Sequence, residues 1–462
     1  MSAPSAVGFG GRFGAPVLIG PALNPINTTM ISVALVPIAR ATHTSASVVI
    51  WLVAGLYIVS SVFQPTMGKL ADLFGPRRVY LAGLVIAGVG GLVPLLAPTF
   101  AGALVARLAI GIGTSSAYPA AMTIIRDQEK RLDRKAPQVL LSGLSISGLV
   151  TAAIGPVLGG LLLQHFTWQS IFLVNVPFAA LTIVLTLLWL PSDRTRSGAR
   201  GTVGVRSLDL PGMLLFAVGI TSAVFFFLHL ETRALWLVAV AVVALVGLAL
   251  WERGQQAPFV DVRMLASNHA LTATYARLFL VYTGIYLVVY GFTQWAQAVA
   301  GYTSDAAGLL QLPSAVGAAV TSLAIARTPR VRGSLLVAAT ASVVGGAFLL
   351  FLDVGSPVWF LLLIMGLFGV AQGLSSVSNQ AVLFRRAPAA QIGSASGLSR
   401  TSVQIGAIAA SSILGPVFGD APSDQGMHVI AIVVLALAAG ALLVTVADRS
   451  LRRSVNEPSA SL

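Results

Sequence analysis

Polar and charged side chains set inside apolar stretches are the residues of this sequence that could do chemistry. "NPINTTMISVAL" (24–35) carries Asn24, Asn27 and Thr28 on one face at helical spacing. "LVARLAIGIG" (104–113) places a charge, Arg107, on a face with Gly111, Thr114 and Tyr118. Tyr286, Tyr290, Gln294 and Gln297 form another stripe, and so do Gln372, Ser376 and Asn379. Amides, hydroxyls and phenols in apolar surroundings either line a cavity for a small molecule or hydrogen-bond one helix to the next. A charge there costs ~2.5–3.5 kcal/mol and marks a pathway or a structural hydrogen-bonding role. This is binding chemistry and not catalysis, so no enzyme activity and no cofactor are expected. Cys is absent and the five His are scattered, which argues against a metal centre. No Gly-x-x-x-x-Gly-Lys-Ser/Thr run is present to hold ATP.

The elements that must position these groups are membrane helices. Of 462 residues, 56% are hydrophobic and only 9% are charged, too few to coat a soluble protein. Apolar stretches of about 20 residues, the length that crosses a bilayer, recur throughout. The spans are read at 16–39, 48–69, 79–98, 101–125, 138–163, 169–190, 210–229, 233–251, 271–298, 306–326, 333–352, 356–382, 391–418 and 426–447. Residues 1–15 lack a signal-peptide pattern and read as a short tail, as do 448–462.

Charge orients the spans. Arg40 and Arg233 lie after odd-numbered spans, and Arg107, Arg277 and Arg400 lie within spans. The rest of the 28 Lys and Arg fall in the tails and after even-numbered spans, as in "RDQEKRLDRK" (126–135), "SDRTRSGAR" (192–200) and "RTPRVR" (327–332). The positive-inside rule then puts both termini in the cytoplasm of a multi-pass plasma-membrane protein. The net charge of +13 is topological and points to the lipid bilayer, not to nucleic acid. Arg277, nearer the inner end of its span, is expected to snorkel to the headgroups. Trp51, Trp168, Trp189, Trp236, Trp251 and Trp359 near span ends read as an interfacial belt.

The chain also repeats itself. "GPVLG" (155–159) returns as "GPVFG" (415–419), and "GTSS" (113–116) as "GLSS" (373–376), at one common offset. The spans therefore group as six, two and six: a bundle over 16–190, a linker over 191–270 with a hairpin at about 210–251, and a bundle over 271–447. Such repeats build secondary transporters, with the substrate site between the halves.

"GKLADLFGPRR" (68–78) joins the second and third spans. Gly68 and Gly75 permit close approach and a turn, and Lys69, Arg77 and Arg78 could pair with Asp72. Gly68, Leu70, Ala71, Asp72, Gly75, Arg77 and Arg78 resemble the signature of the major facilitator superfamily, with Pro76 intruding. "SGLSISGLVTAAIGPVLGG" (142–160) has small residues at every fourth position, a ridge on which another helix can pack, and Pro156 can bend it. Gly155, Pro156, Gly159 and Gly160 resemble that superfamily's antiporter motif. Arg107 with its following glycines resembles another of its motifs, linked to proton transfer or substrate charge. "TWQSIFLVNVPFA" (167–179), "LDLPGMLLF" (208–216), "LWERGQQAPFVDVRML" (250–265) and "QAVAGYTSDAAGLLQLP" (297–313) are similar to segments of the fourteen-helix drug:proton antiporter branch.

The resemblance implies an all-α, 14-helix fold of two pseudo-symmetric six-helix bundles. It further implies that Asp72 latches onto the start of the thirteenth span, near Gln391–Ser394. It implies secondary export of hydrophobic or amphipathic small molecules by alternating access, with protons as a possible partner. One departure bears on coupling: Asn27 stands where the branch carries an Asp in the first span. Of the 15 acids none falls mid-span; Glu231, Asp305, Asp353, Asp420 and Asp424 read as outer and the others as inner. An Asn does not titrate, so export of a lipid or cell-envelope metabolite, or facilitated transport without protons, stays open beside drug efflux. A non-transporting sensor of the same fold is a remote alternative. A monomer is expected.

Overall fold

The computed structural model describes residues 8–44, 46–49, 51–193, 209–228, 234–255, 258–302, 304–326, 331–419 and 422–451. Arg233, most of the basic stretches at 192–200 and 327–332, and the tail beyond 451 lie outside them. Every regular element among the described residues is helical. The longer helices are α1 (Gly11–Met30), α2 (Trp51–Phe74), α3 (Pro76–Leu96), α4 (Phe100–Ser115), α5 (Ala117–Leu132), α6 (Gln138–His165), α7 (Asn175–Trp189), α8 (Leu210–Leu228), α9 (Leu235–Glu252), α10 (His269–Ala298), α11 (Leu312–Ala326), α12 (Val331–Leu349), α13 (Val358–Arg386), α14 (Ile392–Phe418) and α15 (Asp424–Ala447). Among the described residues, 10 helical stretches are long and apolar enough to cross a membrane. Large side chains such as Leu96, Val243 and Leu443 stand exposed on them, as a lipid solvent permits.

Local chemistry sets several ends. Thr99, Asn268 and Ser423 each accept a hydrogen bond from the backbone N–H three residues on, capping α4, α10 and α15. The 68–78 motif is helix almost throughout and not the loop expected. α2 runs to Phe74, Gly75 alone breaks it at φ 99°, and α3 starts at Pro76, where a missing N–H costs nothing. The intruding proline is thus a helix start. The helix that carries the first expected span starts at Gly11, ahead of residue 16, with Phe13 buried. That span is broken by a tight turn at Ile31–Val33 before a short helix at Leu35–Ala41.

Two compact units are present. One comprises residues up to Ala217 with Gly254–Val260 and Ala387–Thr401. The other comprises Val218–Arg253, Asp261–Arg386 and the chain from Ser402. The core of the first gathers Met30, Ile31, Leu52, Ile110 and Phe172. Trp168 belongs to that core, edge-on to Phe172 at 5.9 Å, and so points into the protein rather than outward. The core of the second is built on Phe292, Trp295, Phe368 and Met427. The repeated glycines both serve close helix approach, with different neighbours. A Cβ on Gly113 would strike α3 at Gly83 and Ala87, and one on Gly373 would strike α11 at Ala318 and Thr321.

Candidate functional site

In the first unit, most of the polar run on α1 is consumed by local and interhelical bonds. Thr28 Oγ1 donates to Asn24 O (2.8 Å), Thr29 Oγ1 to Pro25 O (3.2 Å) and Asn27 Nδ2 to Leu23 O (2.7 Å). Asn27 is buried and forms a reciprocal amide pair with Asn175 at the start of α7. Asn27 Nδ2 donates to Asn175 Oδ1 (2.6 Å), and Asn175 Nδ2 donates to Asn27 Oδ1 (2.9 Å). Arg107 is also buried. Its Nε donates to Leu52 O (2.9 Å) on α2 and its Nη1 to Asn27 O (3.0 Å) on α1. The guanidinium is solvated by backbone carbonyls, which ties α1, α2, α4 and α7 together.

Asn24 behaves differently. Its Nδ2 reaches across to Thr114 Oγ1 (3.1 Å) on α4 and toward Ser60 Oγ (3.5 Å) on α2. One helical turn on, Gln64 follows Ser60 on α2, and Tyr118 follows Thr114 on α5. The Arg400 guanidinium carbon lies 3.7 Å from the centre of the Tyr118 ring. Thr401 Oγ1 donates to Ser61 O (2.9 Å), and Gly397 packs on Gln64 so closely that a Cβ would meet its backbone at 2.5 Å. The structure therefore gathers Asn24, Thr114 and Tyr118, and adds Ser60, Gln64 and Arg400. Thr28 stays with Asn24 through its bond to that residue's carbonyl, whereas Asn27 and Arg107 are buried in bonds of their own. Sequence spacing missed Ser60 and Gln64, whose i, i+4 register on α2 carries that signal.

The Asp72 carboxylate sits at the N-terminus of α14, within the stretch the sequence pointed to. It accepts from Gly393 N (3.0 Å), Ser394 N (2.9 Å), Ser394 Oγ (3.0 Å) and Thr123 Oγ1 (3.3 Å). Gly68 provides the room, since a Cβ there would collide with Gly393. Arg77 and Arg78 do not pair with Asp72, contrary to the sequence expectation, and are engaged elsewhere. Arg77 Nη2 instead donates to Thr186 O (3.3 Å) and Leu187 O (2.9 Å). Asp193 caps α3, accepting from Arg77 N (3.2 Å) and Arg78 N (2.9 Å). Lys69 Nζ donates to Pro258 O (2.6 Å).

The small-residue ridge of α6 packs on α1. A Cβ on Gly155 would strike Thr29, and one on Gly159 would lie 2.7 Å from Val33 Cγ2. Gly160 faces open space. Pro156 lies within the helix, and its side chain falls outside the described residues.

In the second unit, Tyr286 and Tyr290 stack along α10 with ring centres 5.5 Å apart, and Tyr282 continues the ladder at 6.1 Å. Gln294 and Gln297 are exposed, and Gln372 and Ser376 are half-buried. Asn379 is instead wholly buried. It accepts from Arg277 Nε (3.0 Å) and donates to Ser375 O (2.9 Å). Arg277 does not snorkel. It is buried in an ion pair with Asp448 (2.8 Å), with Thr274 Oγ1 as a further acceptor (3.0 Å). No side-chain spacing announces that pair, because Asp448 follows the end of α15, 171 residues away. Among the described residues no group of three or more His, Cys, Asp or Glu could hold a metal ion.

Known proteins are similar to this chain in sequence and fold. The model of the Major Facilitator Superfamily matches residues 17–411. The uncharacterised MFS-type transporter YwoD of Bacillus subtilis is 32% identical over 449 residues, covering 95% of this chain and 97% of that protein. The multidrug resistance protein Stp of Mycobacterium tuberculosis is 28% identical over 409 residues, covering 85% of this chain and 73% of Stp. The solved proton:xylose symporter XylE superposes with a TM-score of 0.63 at 15% identity, over 93% of this chain and 94% of that one, a likeness of fold.

Proposed function

We propose that this chain, which belongs to the Major Facilitator Superfamily, exports hydrophobic or amphipathic small molecules from the cell by alternating access. The reading includes fourteen transmembrane helices in a six, two and six arrangement, as in the drug:proton antiporter branch, with both termini cytoplasmic. The observation that carries it is the Asp72 carboxylate on the first turn of α14. A carboxylate at a helix N-terminus gains about 0.3–1 kcal/mol from the dipole, enough to bias a conformation and small enough to release in a transport cycle. The similarity to a multidrug resistance protein supports efflux as the direction.

One observation favours a second reading for the driving force. Asn27 is a non-titrating amide with its oxygen and nitrogen both engaged by Asn175, so the first membrane helix offers no proton carrier at that point. Export coupled elsewhere, or facilitated movement of a lipid or cell-envelope metabolite, fits that site. The test is reconstitution in liposomes enclosing a pH-sensitive dye, with a panel of cationic, neutral and anionic amphiphiles. Substrate movement with a proton flux supports an antiporter. Movement without one supports the second reading. Movement of no member of the panel would refute export of this substrate class.

A further inference from the structure

We infer that Arg400, stacked on Tyr118, is the subsite for the anionic head of an amphipathic substrate. The inference rests on the exporter reading and names its substrate class.

Three arginines lie inside membrane spans, and two are spent. Arg107 is satisfied by two backbone carbonyls, and Arg277 by Asp448, Asn379 and Thr274. Arg400 has neither. It is half-buried, and among the described residues its guanidinium makes no hydrogen bond and no ion pair; its one partner is the Tyr118 ring at 3.7 Å. It lies about 12 Å into α14 by helical rise. A charge held there without a counter-ion is costly and calls for a purpose. At 3.7 Å the guanidinium rests against the ring's face. Stacking uses that face, while hydrogen bonding uses the planar edge with its fork of donors, the geometry that matches a carboxylate or phosphate. The aromatic partner fixes the cation without consuming a donor.

A second observation points the same way. Gln64, 4% exposed and beside Gly397 one turn before Arg400, has a buried side-chain oxygen with no hydrogen-bond partner. Buried amides are seldom left unmet, and a half-turn of this one presents its NH₂ group instead. Asn24, Ser60 and Thr114 lie one turn away, hydrogen-bonded to one another, so a polar cluster adjoins the guanidinium. Among the described residues no acid forms an ion pair with Arg400, so a lipophilic cation finds no counter-charge at this guanidinium.

The experiment uses one pyrene body with three heads: butanoate, butanol and butyltrimethylammonium. Binding to the full chain in phosphatidylcholine nanodiscs is read by energy transfer from tryptophan. Transport is read in inside-out vesicles. Wild type is expected to bind the butanoate most tightly and the cation least. In Arg400→Gln the preference for butanoate over butanol should fall ~10-fold or more, the scale of a charge-assisted hydrogen bond. Arg400→Lys, which keeps charge but not the planar fork, should fall between. Adding phosphatidylglycerol distinguishes the source of the anion: weaker butanoate binding in wild type but not in Arg400→Gln assigns the site to a lipid phosphate. No effect of phosphatidylglycerol assigns it to a soluble amphiphile. The inference is overturned if wild type binds butanol as tightly as butanoate. A proportional loss of both probes in Arg400→Gln overturns it too, since that marks a structural role. Transport of butanol alone would also overturn it while leaving the exporter reading intact. Transport of none of the three would count against both.

Discussion

Replacing Asp72 with Asn tests the latch most directly. The carboxylate accepts two backbone N–H groups, from Gly393 and Ser394, besides two hydroxyls. An Asn side chain is nearly the same size but has one oxygen. It can keep one backbone donor and must turn its own NH₂ toward the other. A buried donor left unmet costs about 1–3 kcal/mol, and loss of the charge removes about 0.3–1 kcal/mol of dipole interaction. Docking of the α14 start should therefore weaken by about 1.3–4 kcal/mol, or ~8- to ~700-fold in population. The chain has no Cys, so a single introduced thiol reports without background. Ala395 is 1% exposed beside the contact, and Ala441, also 1% exposed, serves as a distant control. With reclosing fast, maleimide labelling of Ala395→Cys follows the undocked population. Asp72→Asn should raise that rate within the stated range and leave Ala441→Cys unchanged. An unchanged rate at 395 would refute the latch, and an equal rise at 441 would show general loosening instead.

Three further sets of substitutions test the frame. Asn27→Leu or Asn175→Leu alone strands the partner amide at about 1–3 kcal/mol, whereas the double substitution should cost less than the sum; thermal unfolding gives the coupling energy. Asp448→Leu leaves the Arg277 charge buried and should destabilise by about 3–5 kcal/mol, with much of it recovered on adding Arg277→Met, and equal melting temperatures for all three would refute the pair. Gly155→Leu should destabilise by about 1–3 kcal/mol through its clash with Thr29 on α1, while Gly160→Ala, with open space around it, should stay within about 0.5 kcal/mol.

What the sequence made legible is what neighbouring residues determine. Apolar length marked the helices. The 68–78 motif is short and nearly complete, so Gly68, Asp72 and Gly75 could be read from it, and each has a matching contact or turn. The failures are long-range. Asn27 reads as a lining residue until Asn175, 148 residues on, takes both ends of its amide. Arg77 and Arg78 read as partners of Asp72 because they are close in sequence. Their backbone is instead capped by Asp193, more than a hundred residues away. Periodicity names the face a residue occupies, but whether that face meets a cavity or another helix depends on partners that spacing cannot supply.

The polar run on α1 makes that distinction mechanical. Asn27 is fastened to α7, its carbonyl takes a bond from Arg107 on α4, and the same guanidinium holds Leu52 O on α2. Gly155 and Gly159 bring α6 against the same stretch of α1. Five helices thus share contacts around residues 26–33, and moving one without the others would strand a buried charge or open a gap. A branch member with an Asp at position 27 can change the protonation of α1 at that junction. This chain has an amide pair there, which holds at every pH that leaves the protein folded. The junction holds these helices together, and on the export reading the residue of α1 proposed to meet a ligand is Asn24, one turn away and facing Ser60 and Thr114. Replacing Asn24 with Ala should weaken amphiphile binding with little loss of stability, whereas Asn27→Ala should lower the melting temperature first. The reverse order would place the site on the wrong side of α1.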